Sequence, residues 1–217
     1  MPADRDIPSL ATVTRAVEAR YTVLAAAGSS LSCGGALEVA APRPGETVVD
    51  LGCGRGGDVM RAAAMVGPAG LVIGVDANEA MLTAACARAG SSPRVGFLRN
   101  DLCAVGLPDA RVDVVVSNCA INHAPDKAAV FREIHRILRP GGRFAVSDVV
   151  AERGLPETVR SDPAAWAACY GGAIPEAEYL AAVAAAGLTA VRVVRRTPPY
   201  EKGGVRVLSV TVEGRRA

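Results

Sequence analysis

The sequence predicts an α/β protein with a doubly wound, Rossmann-like sheet. Short apolar runs alternate with amphipathic segments at helical spacing, and turns rich in glycine and proline separate them. The run Val48-Val49-Asp50-Leu51 leads through Gly52, Gly54 and Gly56 into a helix-like segment, residues 59–66. Glycines at a strand-to-helix turn let a nucleotide-like ligand approach the backbone at the positive end of the helix. The same stretch therefore predicts both the fold and a ligand site.

Composition fits one globular domain and favours a small ligand over a large partner. The 217 residues are 50% hydrophobic but only 4% aromatic, so the core must be aliphatic. The 24 basic and 22 acidic residues leave a net charge of +2, which predicts neither a nucleic-acid-binding nor a membrane-binding surface. No apolar run has membrane-spanning length and no signal-peptide pattern opens the chain, so we expect a cytoplasmic protein. The six cysteines lack metal-ligand spacing, which predicts reduced thiols and no metal site.

The N-terminal part, residues 1–35, is predicted to be a helix and a lid that precede a main domain of residues 36–217. Apolar residues recur at helical spacing from Leu10 to about Ala27. The stretch from Ser29 to Gly35 is small and polar around Cys33. It can be a lid over the ligand pocket or an ordinary linker, and the sequence does not choose between them.

Strands and helices alternate along the main domain. The predicted strands are residues 48–51, 71–75, 95–98, 112–117, 143–148, 188–195 and 205–212. The predicted helices are residues 58–66, 78–89, 130–138 and 176–186, with a stop at 139–142 and a loop at 197–204. Right-handed crossovers between parallel strands place ligands at the carboxyl edge of the sheet. Cys86 and Cys103 fit small buried residues.

Acidic residues follow the first three predicted strands. Asp50 ends the first strand, Asp76 ends the second, and Asp101 follows the third. An acid at the tip of the second strand can accept hydrogen bonds from ribose hydroxyls. An acid after the third strand could contact an adenine amino group. The order of these acids around the glycine loop resembles the class I S-adenosylmethionine-dependent methyltransferases, over roughly residues 45–150.

This resemblance implies a cofactor and completes the predicted fold. S-adenosylmethionine is the implied cofactor, and the implied sheet has seven strands, mostly parallel, with an antiparallel terminal strand. Asp50 and the glycines would hold the methionine end, Asp76 the ribose and Asp101 the adenine. The full set of implied cofactor-binding residues is Asp50, Gly52, Cys53, Gly54, Gly56, Asp76, Ala77, Met81, Asn100, Asp101, Leu102, Asn118 and Cys119.

Longer motifs resemble the arsenite methyltransferases within that class. One is Ser117-Asn118-Cys119-Ala120-Ile121-Asn122 with Pro125-Asp126-Lys127, at the exit of the fourth strand. Others are the segment 142–150, the tripeptide Leu155-Pro156-Glu157, and Trp166-x-x-Cys169-x-Gly171-Gly172-Ala173. The similarity extends from Val48 to Ala173. It implies methyl transfer to trivalent arsenic, a small metalloid substrate that can arrive free or as a thiol conjugate.

The resemblance implies that thiolates hold the arsenic, because soft sulfur ligands suit a thiophilic centre. The arsenic lone pair then attacks the sulfonium methyl group. Cys169 matches the family's binding cysteine. Two other cysteines are often found in relatives, one where this chain has Val59 and one where it has Gly204-Val205. Cys33 resembles a cysteine found before the first strand in relatives and could substitute for one of them. Cys119 is the weaker candidate.

Alternatives concern the methyl acceptor and the class of protein. A site with two thiolates could hold a monomethylated arsenical, or the scaffold could methylate an organic thiol, amine or hydroxyl. An oxygen or nitrogen acceptor needs a base, for which His123 is the candidate, although it could equally be a solvent-exposed loop residue. A nicotinamide oxidoreductase and a non-catalytic binding protein fit less well, because neither explains the glycine loop together with Asp101.

Overall fold

The computed structural model describes residues 9–26 and 34–217, and an eight-stranded sheet forms its centre. The strands are β1 (Thr47–Leu51), β2 (Leu71–Asp76), β3 (Val95–Arg99), β4 (Val112–Asn118), β5 (Leu138–Ala151), β6 (Leu188–Arg196), β7 (Tyr200–Lys202) and β8 (Val205–Arg216). The strand order is β3-β2-β1-β4-β5-β8-β6, with β7 paired to β8. The first five strands are parallel, and β8 is antiparallel to β5, β6 and β7. The predicted fold class is confirmed.

Eight α-helices accompany the sheet within the described residues. They are α1 (Leu10–Ala26), α2 (Ala36–Ala40), α3 (Gly57–Val66), α4 (Glu79–Ala89), α5 (Lys127–Ile137), α6 (Glu157–Arg160), α7 (Pro163–Ala167) and α8 (Glu176–Ala185). Polar side chains fix several helix starts: Asn78 accepts a hydrogen bond from the Met81 amide at α4, and Asp126 accepts one from Ala129 at α5. A 3₁₀ turn, Ile121–His123, separates β4 from α5.

Apolar side chains cover both faces of the sheet, so its parallel strands are buried between layers. On one face, Phe131 of α5 and Tyr179 of α8 pack edge to face, with ring centroids 5.3 Å apart. On the other face, Val59 and Ala62 of α3 pack with the β1 residue Val48. With both faces closed, the carboxyl ends of the strands are left to form a ligand cavity.

Several details differ from the sequence-based predictions. Residues 200–202 form the short strand β7 instead of loop, and β5 already begins at Leu138. The short helices α2, α6 and α7 were not predicted, because four or five residues are too few to show a helical period. Cys86 is exposed instead of buried. Residues 1–8, Cys33 and most of the proposed lid lie outside the described residues.

No helix in the described part of the chain combines the length and apolar character that crossing a membrane requires.

Candidate active site

A cavity of about 800 Å³ opens at the carboxyl edge of β1, β2 and β4. Helix α1 forms one wall, and the glycine loop after β1 forms another. The predicted residues that line it are Asp50, Gly52, Cys53, Gly54, Asp76, Ala77, Asp101, Leu102, Asn118, Cys119 and His123. Gly56, Met81 and Asn100 are not among its lining residues. The topology thus brings most of the predicted cofactor residues to one concave surface.

The glycine loop is shaped by backbone conformations that side chains would obstruct. Gly52 has φ +73°, and a Cβ there would lie 2.2 Å from the Cβ of Ala120. The Gly52 and Cys53 amides donate hydrogen bonds to the carbonyl of Val75, at 2.8 and 3.0 Å. These bonds hold the loop against the end of β2. Gly56 instead accommodates packing, because a Cβ there would be 3.2 Å from Ala85.

Asp76 links the glycine loop to the start of α4. One of its carboxylate oxygens accepts a hydrogen bond from the Gly54 amide and the other accepts one from the Asn78 amide, each at 2.9 Å. Burial raises the pKa of Asp76, and these amide donors oppose the rise. Asp76 is therefore fixed at the cavity wall, with carboxylate lone pairs left for ligand hydroxyls.

The methionine end of the predicted site concentrates negative charge. Burial raises the pKa of Asp50 well above its usual range, and the carboxylates of Asp58 and Asp76 raise it further. Asp58 accepts hydrogen bonds from Asn118 at 2.8 Å and from Arg61 at 2.9 Å. A ligand that brings positive charge to this end would relieve the repulsion around Asp50.

The predicted adenine end is more open. Asp101 is exposed, and its carboxylate accepts a hydrogen bond from the Cys103 amide at 2.7 Å. Asn100 points away from the cavity and donates to the carbonyl of Val105 at 3.0 Å. Met81 is fully buried beneath the wall. Of this predicted group, Asp101 and Leu102 face the cavity.

Three side chains from distant parts of the chain meet at the opposite end of the cavity. The Tyr21 hydroxyl lies 2.9 Å from His123 Nε2 and 3.3 Å from Cys169 Sγ. Cys169 Sγ lies 3.2 Å from the same His123 nitrogen and 3.7 Å from the carbonyl oxygen of Cys119. Tyr21, Cys119 and His123 all line the cavity, so Cys169 adjoins it. We call Tyr21, His123 and Cys169 the acceptor cluster.

The protonation of His123 follows from its other nitrogen. His123 Nδ1 lies 3.0 Å from the backbone carbonyl oxygen of Trp166, and a carbonyl can only accept, so Nδ1 carries the proton. Burial lowers the pKa of His123 to about 4, and the positive charge of Lys127 lowers it further against the Trp166 hydrogen bond. The imidazole is thus neutral near pH 7, and Nε2 offers a lone pair to the acceptor cluster. His123 is not a solvent-exposed loop residue.

Both cysteines at this end have left-handed backbones, which are unfavourable for residues with a side chain. Cys119 follows β4 with φ +57°, and Cys169 follows α7 with φ +68°. Asn122 supports Cys169 by donating to its carbonyl at 3.3 Å, and also donates to the carbonyl of Val149 at 2.5 Å. Strained conformations held in this way concentrate at functional sites.

The valines at the two positions where the sequence resemblance implies cysteines serve packing in this chain. Val59 is fully buried beside Ala62 on α3, and Val205 is nearly buried in an apolar cluster that includes Val207. Within the described ranges, Cys169 and Cys119 are the cysteines at the acceptor end. Cys103 lines the cavity near Asp101 and accordingly is not fully buried.

Comparison with known proteins agrees with this geometry. A family described as a methyltransferase domain matches residues 42–194, well over half of the chain. The chain belongs to this methyltransferase domain family.

Specific methyltransferases are similar over most of the chain. An arsenite methyltransferase from Halobacterium salinarum is 38% identical over 197 residues, which are 86% of this chain and 50% of the relative. Another from Aquipseudomonas alcaligenes is 39% identical over 177 residues, 77% of this chain and 48% of the relative. The chain spans about half the length of these curated relatives. A crystal structure of an arsenic(III) S-adenosylmethionine methyltransferase from Chlamydomonas reinhardtii has a TM-score of 0.75 and 31% identity, covering 89% of this chain and 72% of that one.

These findings confirm the predicted resemblance to S-adenosylmethionine-dependent methyltransferases and, among them, to arsenite methyltransferases. The methyltransferase cavity also fits that cofactor chemically. S-adenosylmethionine carries an ammonium and a sulfonium group, which suit the carboxylates of Asp50 and Asp58. Its ribose hydroxyls suit the half-buried Asp76. The residues present therefore fit the cofactor.

Sequence reasoning missed two residues that shape the methyltransferase site. Tyr21 falls within the helix predicted from Leu10 to about Ala27, but helical spacing gives no sign of its hydrogen-bonding partners. Asn78 was predicted only to open α4, yet its side-chain amide also donates to the carbonyl of Glu18 and the hydroxyl of Thr22, each at 3.0 Å. The position of Asn78, two residues after the strand-end acid Asp76, is the one local signal that pointed toward it.

Proposed function

We propose that this protein transfers a methyl group from S-adenosylmethionine to trivalent arsenic held by Cys169. The observation that carries the proposal is the position of Cys169 Sγ beside the cavity, 3.2 Å from the unprotonated His123 Nε2. Similarity to arsenite methyltransferases supports arsenic as the substrate. The strained backbones of Cys119 and Cys169 support a functional role for this end of the cavity.

Substrate capture requires that the Cys169 thiol exchange its proton for arsenic. The As–S bond forms as an As–O bond breaks. The Tyr21 hydroxyl turns from His123 Nε2 to the sulfur as this nitrogen takes up the thiol proton, and the proton then passes to the departing hydroxide, which leaves as water. A neutral imidazole suits this transfer because it can accept and return a proton without a persistent buried charge. His123, proposed from the sequence as a base for organic acceptors, acts here on the substrate-binding thiol.

Methyl transfer then depends on placing the reactants in line. When bound, S-adenosylmethionine would supply an electrophilic sulfonium methyl group, and Cys169 would hold the arsenic with its lone pair free to take up that group. Asp50 holds the methionine end, Asp76 the ribose and Asp101 the adenine. No strong base is needed at this step, so the protein contributes chiefly positioning and exclusion of water.

The number of thiolates points to the form of arsenic that binds. With Val59 and Val205 in place of cysteines, we propose a site of two protein thiolates, formed by Cys169 and either Cys33 or Cys119. A monomethylated arsenical has two exchangeable bonds and matches such a site, and arsenite matches it when its third bond is to a small thiol. A cytoplasmic location is part of the proposal, because Cys169 must stay reduced to bind arsenic.

The test is methyl transfer in the presence of glutathione, with arsenite or methylarsonous acid as acceptor. The wild type should form methylated arsenic, and Cys169→Ser should lower the rate by about 100-fold or more because the substrate is no longer positioned. Cys86→Ser is the matched control, because Cys86 is exposed and does not line the cavity. A Cys169→Ser protein that still methylates arsenic at the wild-type rate would overturn the assignment. Binding of S-adenosylhomocysteine by calorimetry shows whether each variant is intact.

A further inference from the structure

Helix α1 touches both ends of the cavity. Thr14, Val17, Glu18 and Tyr21 of α1 line it, and α1 packs against α7, the helix that precedes Cys169. At one end, Tyr21 contacts the other two members of the acceptor cluster, His123 and Cys169. At the other end, α1 is hydrogen-bonded to the residues that follow β2. One helix thereby spans the predicted cofactor and acceptor regions.

At the acceptor end, the Tyr21 hydroxyl sits between two groups with defined hydrogen-bonding roles. His123 Nε2 can only accept, so the Tyr21 hydroxyl donates to it at 2.9 Å. The Tyr21 oxygen is then the acceptor that faces Cys169 Sγ at 3.3 Å. The two rings also pack edge to face, with centroids 5.2 Å apart and planes at 82°. Burial raises the pKa of Tyr21, which keeps the hydroxyl protonated for this role.

At the cofactor end, Asn78 joins α1 to Asp76. The backbone N–H of Asn78 donates to the Asp76 carboxylate at 2.9 Å. The side-chain Nδ2 of Asn78 donates to the Glu18 carbonyl and to the Thr22 hydroxyl, each at 3.0 Å. Asn78 is only 5% exposed, so these bonds are shielded from water. Asn78 therefore joins Asp76 to α1 through two consecutive hydrogen bonds.

We propose that Tyr21 is a positioning residue that holds the Cys169 sulfur and the His123 ring at the cavity wall, and that Asn78 couples this hold to cofactor binding. The proposal rests on the proposed function for its catalytic consequence. In the structure α1 lies against Asn78 and α7, which we call its docked position. Cofactor contact with Asp76 favours this position, and in it Tyr21 reaches His123 and Cys169. Binding at either end should then assist binding at the other, because coupling between two sites is reciprocal.

The first experiment compares Tyr21→Phe with the wild type in the arsenic assay. The variant keeps the ring against His123 and loses only the hydroxyl. The kcat should fall by about 10-fold, the value of one hydrogen bond to the reacting site, while the KM for S-adenosylmethionine changes by less than about twofold. Tyr200→Phe is the matched control, because it removes an exposed hydroxyl bonded to Ser209 outside the cavity. An unchanged kcat in Tyr21→Phe would overturn the positioning role.

The second experiment needs no arsenic, so it separates this proposal from the proposed function. Alkylation of Cys169 by iodoacetamide is followed by peptide mass spectrometry at one fixed pH, with and without saturating S-adenosylhomocysteine. In the wild type the ligand should slow alkylation by about fivefold or more, because it favours the docked position of α1, in which the helix covers the Cys169 thiol. Asn78→Ser should lose most of this protection, although a serine hydroxyl can still cap α4.

A second variant guards against misfolding of Asn78→Ser. Thr22→Val removes a partner of Asn78 from the exposed side of α1 and leaves Asn78 itself intact. It should also weaken protection, whereas Thr83→Val, which breaks only a bond within α4, should not. Equal protection in the wild type, Asn78→Ser and Thr22→Val would overturn the coupling. Loss of protection in the variants would support it even if the wild type methylates no arsenic.

Discussion

The two ends of the cavity are built in opposite ways. At the cofactor end, Asp50 is the next-to-last residue of β1 and Asp76 is the last residue of β2, and the glycine loop lies between them in the chain. At the acceptor end, Tyr21 lies 102 positions before His123 and 148 before Cys169. The first end is a consequence of parallel strands sharing an edge, whereas the second depends on how α1 and α7 pack. Local sequence can therefore encode the cofactor end but not the acceptor end.

Their electrostatics differ as well. The cofactor end gathers carboxylates whose repulsion raises the pKa of Asp50, and this favours a cationic ligand. The acceptor end holds neutral groups, because burial lowers the pKa of His123 and raises that of Tyr21. A partly buried thiol beside a neutral imidazole suits a soft, uncharged acceptor. The charged end of the cavity therefore suits binding of the cofactor, and the neutral end suits the chemistry of the substrate.

The sharpest test of this division is His123→Gln. Glutamine keeps a polar side chain but cannot take up the thiol proton, so turnover should fall by about 100-fold. The affinity for S-adenosylhomocysteine should stay within about twofold, since the cofactor end is carried by other residues. Rate assays and calorimetry measure the two effects. A loss of cofactor affinity as large as the loss of turnover would mean that His123 also holds the cofactor.

The control for His123→Gln is His135→Gln, which changes the other histidine of the chain, on α5 outside the cavity. It should leave turnover unchanged. It also simplifies the NMR spectrum to one imidazole, that of His123. Because burial lowers its pKa to about 4, this ring should stay neutral as the pH falls from 8 to about 5. Titration near pH 6.5 would contradict the buried environment.

Asp50→Asn tests the charge at the cofactor end. The folded state raises the pKa of Asp50, so at neutral pH its negative charge disfavours folding, and removing it should raise the Tm of the ligand-free protein. The same change removes a partner for the cofactor cation and should weaken S-adenosylhomocysteine binding by about 10- to 30-fold. Thermal unfolding should thus show a higher Tm, whereas calorimetry should show a lower affinity for S-adenosylhomocysteine.

Asp109→Asn is the control for Asp50→Asn, because Asp109 is an exposed acid paired with Arg136 outside the cavity. It should lower the Tm slightly or not at all, because exposed ion pairs contribute little. It should also leave ligand affinity unchanged. Tighter binding in Asp50→Asn would mean that the carboxylate repels the ligand and that the cofactor is oriented differently.

The smallest effect is expected from Asp101→Asn. Asp101 lines the cavity but is exposed, and water competes for any hydrogen bond that it makes to the ligand. Asparagine can also retain the bond from the Cys103 amide. The affinity for S-adenosylhomocysteine should fall by about two- to fivefold in calorimetry. A loss as large as that of Asp50→Asn would show that both ends of the cofactor contribute equally.

The sequence by itself determined the doubly wound sheet, its longer strands and helices in chain order, and much of the strand-edge side of the cavity. Apolar runs and turns repeat with the period of strands and helices, and strand ends meet wherever parallel strands pair. Asp50 and Asp76 could therefore be placed together without coordinates. Short elements such as α7 and β7 escaped, because a few residues carry no measurable period.

The tertiary structure alone decided the composition of the acceptor cluster. Nothing near Tyr21 in the chain indicates His123 or Cys169, because hydrogen bonds between remote segments depend on the packing of whole helices. The tautomer of His123 likewise follows from the Trp166 carbonyl, and Asn78 acquires its second role only when α1 lies beside it. Periodicity identifies which face of an element is buried, whereas the partner that each polar atom meets is set by the three-dimensional arrangement of those elements.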